Sequence, residues 1–333
     1  MEKPKVSVII PVYGVEKYIE RCVRSLFEQT LDSLEYIFVN DCTPDRSMEI
    51  LNEVLEEYPN RKPQVKIINM PVNSKQAAAR TVGMKAATGL YQIHCDPDDW
   101  VELDAYRAMY EKAVETGADV VSCKFMAHKS DKFYISGMLY DGAGLDCLRL
   151  LRFHSSLWDK LIRSSVIIEN EIYPYPNINS GEDMNVIFRV LYYSKYVTGI
   201  DCPYYNYNYE NEGSITNKSK LELFEKYLVP NMGLLEKFVR KNYSSTLWKA
   251  FSYEKIRSKT PLLWPDKGDR KRYIGYWCRL FPETRKFFLT YPGLNKRQCW
   301  FFYLFYRIPF MIKLYFRYLD FRFCLLYTSD AAA

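Results

Sequence analysis

The strongest constraint in this 333-residue chain lies in its first 125 residues, where short apolar runs alternate with segments of helical period. Val6–Val12 is a continuous apolar run, the form of a parallel strand buried on both faces. Glu16–Thr30 follows with Ile19, Cys22, Val23, Leu26 and Phe27 at helical spacing. Glu35–Asn40 predicts a second strand, and Arg46–Tyr58 a helix entered through Asp45 or Ser47 as cap. Val65–Asn69 predicts a third strand, and Ser74–Thr88 an Ala-rich helix closed by Gly89. Tyr91–Cys95, Leu103–Thr116 and Ala118–Cys123 continue as strand, helix and strand. This order predicts an α/β fold with a mostly parallel sheet flanked by helices. Ligands of such sheets bind beyond the carboxyl ends of the strands.

Three strand ends carry unusual residues: Pro11-Val12-Tyr13-Gly14, then Asn40-Asp41 leading to Asp45, then Asp96-Pro97-Asp98-Asp99-Trp100. Neither a dinucleotide fingerprint nor a P-loop is present. Three carboxylates within four residues repel one another unless a cation is shared. Oxygen-only ligands of this kind suit Mg²⁺ or Mn²⁺ held jointly with substrate phosphates. The alternative is a solvated acidic turn, bent at Pro97, whose aspartates cap the next helix. Asp41 is equally open, because Asp45 can serve as a plain helix cap, and Tyr13 alone reads as packing.

Taken in order, VSVIIPVYGVEKYIERCVRSLFEQT, EYIFVNDCTPDRSMEIL, AAARTVGMKAATGLYQIHCDPDDW, WDKLIRSSVI, SGEDMNVIFRVL and PYYNYNYENEGSIT resemble the family 2 glycosyltransferases with the GT-A fold. The resemblance covers about residues 5–217. It implies an inverting, metal-dependent transfer of a sugar from a nucleotide-diphospho-sugar to a hydroxyl of a glycan or lipid-linked acceptor. Cell-surface polysaccharide synthesis, of the lipopolysaccharide, capsule or exopolysaccharide kind, is the expected setting. By the same resemblance Pro11, Tyr13 and Asp41 hold the donor nucleotide. Asp41 is expected to accept from a uracil N–H or the ribose, which favours UDP and leaves TDP and GDP donors open. Arg80 matches a basic family position near the donor, or is a surface helix charge. Asp96, Asp98 and Asp99 match the metal motif, with Asp98 first and Asp96 also near the donor. Asp183, or else Glu182, matches the catalytic base, unless Asp183 merely caps the helix after it. Trp158 and Lys160 match a position in the acceptor half, or are core and surface respectively. The three histidines read as incidental, with His94 structural.

The formal charge of +6 conceals an asymmetry, because residues 221–333 carry 21 basic and 9 acidic groups. We therefore expect a catalytic domain over 1–219, with a nucleotide-binding half (1–125) and an acceptor half (126–219), followed by a basic aromatic helical extension over 220–323. Asn295–Phe323 holds 12 aromatic, six basic and one acidic residue. That mixture suits a helix lying in an anionic membrane interface, or else helices packed on the rest of the chain. Nucleic acid is not expected as a partner. Nine cysteines without a C-x-x-C pair read as reduced thiols. No apolar run reaches a spanning length, and no signal peptide is read. A cytoplasmic enzyme, peripheral on the inner face of the cytoplasmic membrane, is the expectation. CLLYTSDAAA departs from the composition upstream, resembles sequencing-adapter read-through, and reads as a non-native tail over 324–333. Two rival functions are a non-catalytic membrane-surface protein retaining the fold, and a phosphohydrolase using the D-x-D-D aspartates as nucleophile and acid.

Overall fold

A computed structural model describes residues 3–129, 132–211, 221, 224–263 and 270–305. The chain forms two compact units, one running to Leu247 and one starting at Trp248.

In the first unit β1 (Val6–Val12) is buried along its whole length and pairs in parallel with β2 (Leu34–Asn40) and β4 (Tyr91–His94). β3 (Val65–Asn69) adds in parallel to β2. The two faces of β1 are covered by different helices. Val6, Val8, Ile10 and Val12 enter one core with α1 (Ile19–Phe27), α2 (Ser47–Glu57) and α4 (Ala105–Thr116). Ile9 faces the other way, against Gly83 of α3 (Gln76–Ala86). Burial on both sides is why β1 reads as a near-continuous apolar run rather than an alternating one.

Beyond β4 the sheet becomes mixed. β8 (Lys160–Arg163) pairs antiparallel with β4 and with β6 (Val120–Lys129). β9 (Val197–Asn208) runs parallel to β6, and β5 (Trp100–Val101) pairs antiparallel with β9. β7 (Lys132–Ser136) forms a hairpin edge on β6. Among the described residues the order is β3-β2-β1-β4-β8-β6-β9-β5. The parallel pairing expected from the sequence holds through β3-β2-β1-β4 and again between β6 and β9, with antiparallel strands between and beside them.

Gly89 does not cap α3, which ends through Ala87 in extended backbone. Gly89 is small for another reason: a Cβ there would lie 2.8 Å from the Ser7 amide nitrogen, and its own N–H donates to Ser7 Oγ at 2.8 Å. The glycine lets the chain pass close to β1. Gly117, with φ of 68°, does terminate α4 in the left-handed conformation.

In the second unit Phe251, Ile256, Ile274, Trp277, Phe288 and Phe302 are buried. The ring centroids of Phe288 and Phe302 stand 5.8 and 5.9 Å from that of Trp277. On the helix Lys296–Phe305, Cys299 and Phe302 face this core while Trp300 stays exposed. Residues 306–323 of the aromatic segment and the 324–333 tail lie outside the described residues. Among the described residues no helix is long and apolar enough to cross a membrane.

Candidate active site

Arg80 of α3 joins the acidic turn after β4 to the N-terminus of α7 (Glu182–Tyr193), while the ends of β1 and β2 carry the other candidate residues. Pro11 is buried in β1, and the strand delivers Tyr13, 48% exposed, to the surface. Lys75 places its ammonium 5.8 Å from the Tyr13 ring centroid. Asp41 is buried just after β2. Its Oδ1 accepts from the Ser74 N–H at 2.7 Å and its Oδ2 from the Lys75 N–H at 2.8 Å. These bonds pin a loop in which Lys75 has a φ of 74°, a costly conformation for a residue with a Cβ. Asn40 Oδ1 accepts from the Thr43 N–H at 2.9 Å, so the side-chain amide at this position shapes the same loop.

Asp45 makes a broader set of contacts than a helix cap. It accepts from Ser47 N–H and Oγ, from Thr43 Oγ1, and from the Glu16 N–H of the neighbouring loop. Burial opposes its charge, but the Ser47 and Thr43 bonds outweigh that and hold its carboxyl below the usual range.

Arg80 on α3 is 1% exposed, which removes the reading of it as a surface charge. Its guanidinium meets Asp96 Oδ1 at 2.7 Å, Glu182 Oε1 at 3.2 Å, and the carboxylate of Asp183. Burial disfavours the cation, yet Asp96 and Glu182 more than offset this and raise its proton affinity. One arginine thus joins two acidic motifs, at Asp96 and Glu182, that lie 86 positions apart in the chain. Residual exposure remains on Asp96 and Asp183, at 18% and 20% of their side chains. Asp183 carries no helix-capping hydrogen bond, and the cap position belongs to Gly181.

The three aspartates after β4 have separate fates. Asp96 turns to Arg80. Asp98 accepts from Asn211 Nδ2 at 2.8 Å, and burial together with the charge of Asp96 pushes its carboxyl up. Asp99 is 1% exposed and faces inward, accepting from Tyr205 Oη at 2.6 Å and from the Asn208 N–H at 2.7 Å. Burial, with the charges of Asp98 and Asp96, drives its carboxyl well above the usual range. Among the described residues no three carboxylate, imidazole or thiol groups converge as a ready cation cage. Asp99 does not fit the role of ligand, because both of its oxygens anchor the turn to β9. Asp96 and Asp98 do fit: two repelling carboxylates are what Mg²⁺ takes when substrate phosphates complete its shell.

The sequence reading named no roles for Tyr205, Asn208 and Asn211, although all three hold this turn in place. Tyr205 Oη also accepts from the Asp96 N–H at 3.1 Å. Their signal was the Tyr/Asn alternation of the PYYNYNYEN stretch, which has the period of a strand.

Trp158 takes the core alternative, and the surface alternative for Lys160 is corrected. Trp158 is buried, stacked at 4.3 Å on Tyr205 and edge-on to Phe125. Lys160 is 2% exposed, with Nζ donating to Asp159 Oδ1 at 2.6 Å and to the Ser156 carbonyl at 2.9 Å. Neither presents a surface to an acceptor. His94 is buried, and burial with the nearby Arg80 charge keeps it neutral by pushing its proton affinity well down.

Residues 7–163 match the family described as Glycosyl transferase family 2. Through that stretch the chain carries a family 2 glycosyltransferase domain. It is a glycosyltransferase with a GT-A fold. It is 29% identical to the putative glycosyltransferase EpsH of Bacillus subtilis, over 93% of this chain and 94% of that protein. The uncharacterized glycosyltransferase EpsJ of the same organism is 40% identical over 39% of this chain, a stretch covering 36% of EpsJ. Among solved structures, residues 1–349 of S. aureus TarS in complex with UDP-GlcNAc superpose with a TM-score of 0.68 at 18% identity, covering 91% of each chain. The mannosyltransferase PcManGT of Pyrobaculum calidifontis, in complex with GDP-Man and Mn²⁺, gives 0.56 at 14% identity, over 88% of this chain and 76% of that one.

Proposed function

We propose that the chain transfers a sugar, with inversion and with a divalent cation, from a UDP-sugar to a hydroxyl of a glycan or lipid-linked acceptor in surface-polysaccharide synthesis. The observation that carries this reading is the buried Arg80, which gathers Asp96, Glu182 and Asp183 around one point. Tyr13 and the Lys75 ammonium flank the nucleotide, and Asp41 shapes the loop that presents them. Asp98 with Asp96 would hold Mg²⁺ or Mn²⁺. Such an ion supplies positive charge to the diphosphate as it departs.

Asp183 acts as the base. Arg80 pairs with one of its oxygens, and its partly exposed carboxylate can take the proton of the acceptor hydroxyl. That hydroxyl attacks the anomeric carbon from the face opposite the diphosphate, and the configuration inverts. Glu182, buried against the same guanidinium, holds Arg80 in place rather than meeting substrate. A donor complex is supported by the UDP-GlcNAc and GDP-Man complexes of the structural neighbours, and a polysaccharide setting by a 30%-identical poly(ribitol-phosphate) beta-glucosyltransferase of Bacillus spizizenii.

The test is a transfer assay with a panel of UDP-sugars and Mn²⁺, reading both UDP release and glycosylated product. Asp183→Asn is expected to lower kcat by about 10²- to 10⁴-fold while UDP still binds. Full transfer by that variant would remove Asp183 as the base. Phosphate release from a phosphomonoester, with no UDP release, would replace the reading by a hydrolase.

A further inference from the structure

We propose that Asn231, on the helix Val229–Lys241, is a positioning residue for Asp183, and that this helix is part of the catalytic unit. The proposal rests on the reading of Asp183 as the base. It goes beyond the matched family region, which ends at residue 163.

The helix begins with Pro230 in its first turn, where a missing N–H costs nothing. Its buried residues are Asn231, Met232, Leu235 and Val239. Asn231 is the polar member of that stripe and is 0% exposed. A buried amide is tolerated where its hydrogen bonds are made, and those of Asn231 lead to the base. Its Nδ2 donates to the carbonyl of Gly181 at 2.6 Å. Its Oδ1 accepts from Asn185 Nδ2 at 2.9 Å, and its own carbonyl accepts from the same group at 3.3 Å.

Gly181 immediately precedes the Glu182–Asp183 pair and has a φ of 74°, the left-handed conformation that turns the chain into α7. Asn185 lies two residues after Asp183, 0% exposed and on the same helix. Asn231 therefore grips the turn on both sides of the base, from a helix that follows it by more than forty residues. With Arg80 fixing the carboxylate and Asn231 fixing the backbone, Asp183 is held from two directions.

Two variants of the full chain test this, Asn231→Asp and Gly181→Ala. The first keeps shape but replaces the donor facing the Gly181 carbonyl by an acceptor. The second forces a Cβ onto a left-handed residue, where the nearest atom, Asn231 Nδ2, leaves room at 3.5 Å, so the perturbation is backbone strain. Three readings are taken: calorimetric binding of UDP with Mn²⁺, amide hydrogen exchange over residues 181–185, and kcat and KM for UDP release from the active UDP-sugar. Both variants should bind UDP within about twofold of wild type, exchange faster over 181–185, and lose about 10- to 100-fold in kcat with donor KM little changed.

Unchanged exchange and wild-type kcat in both variants, with Asp183→Asn inactive, would overturn the proposal and leave the base reading standing. Wild-type transfer by Asp183→Asn would remove the base reading, and with it the positioning role. Should Asn231→Asp fail to fold, Gly181→Ala carries the same three readings alone.

Discussion

Arg80 Nη2 donates to Asp96 Oδ1 across 2.7 Å, and this bond joins α3 to the acidic turn after β4. Through the other guanidinium nitrogen the same side chain reaches Glu182 and Asp183. The acidic turn and the base motif are thus parts of one buried electrostatic unit with a single cation at its centre. Arg80→Met would leave three carboxylates without that cation. Removal of one partner from a buried pair costs about 3–5 kcal/mol, because the remaining charge is stranded. The urea midpoint of Arg80→Met should fall accordingly, and Arg80→Lys should recover part of it while losing the fork geometry. A midpoint equal to wild type would mean that the three carboxylates are not held as ions by Arg80.

Asp98 and Asp99 are neighbours with different expected phenotypes. Asp98→Asn should weaken Mn²⁺-dependent UDP binding by about tenfold or more, with little change in the unfolding midpoint. Asp99→Ala should do the reverse. It strands the Tyr205 hydroxyl and the Asn208 N–H in a buried site, at about 1–3 kcal/mol for each unpaired group. Titrating both variants with UDP and Mn²⁺ in a thermal-shift series separates the two roles, and EDTA should cancel the nucleotide's stabilisation of wild type. A loss of metal-dependent binding in Asp99→Ala at unchanged stability would return Asp99 to the metal.

How much of this was legible depends on where each residue's partners lie. Val6–Val12 is observed with the boundaries read from sequence, since a strand covered on both faces is marked by its apolar side chains. The boundaries of Val65–Asn69 are also those read, although it is an edge strand with Lys66 and Asn69 exposed. β8 was hidden because its first residue, Lys160, has the chemistry of a surface residue and a buried partner in Asp159. β5 is two residues long, too short for any period to show. β9 was legible as an aromatic return but not as the wall of the site, because Tyr205 and Asn208 act on aspartates more than a hundred positions earlier. Arg80 sits in an AAAR run whose local pattern allows either face. Only the packing of α3 against the sheet decides that it points inward.

Lys160→Met tests the correction made to the acceptor half. The Lys160 ammonium is buried beside Asp159, whose side chain is also 1% exposed. Replacing it strands the carboxylate, at about 3–5 kcal/mol. Stability should drop while the acceptor KM of the folded fraction stays unchanged. A raised acceptor KM at wild-type stability would restore Lys160 to the acceptor site.

Lys259 in the second unit gives the clearest dependence on pH. It is fully buried, with Nζ donating to the Leu280 carbonyl at 2.8 Å and to Thr284 Oγ1 at 3.2 Å, and it lies 4.7 Å from the Trp277 ring centroid. Burial lowers its ammonium from an ordinary value of 10.5 to about 7, against the upward pull of Glu283 and Cys278 and with a further push from Lys255. Between those two values the unfolded chain holds a proton that the native state has released. Stability contributed by this group therefore rises with pH across the window from about 7 to 10.5, and below it the full cost of the buried cation is present. The effect is on the order of a few kcal/mol over the whole window. Other groups titrate there as well, so the informative quantity is the difference between wild type and Lys259→Met, which keeps the apolar stem and removes the charge. Denaturant midpoints measured at intervals from pH 7 upward should show the stability of wild type climbing relative to the variant. A difference that stays constant with pH would mean that Lys259 remains protonated in its aromatic surroundings, held by the carbonyls and the Trp277 ring.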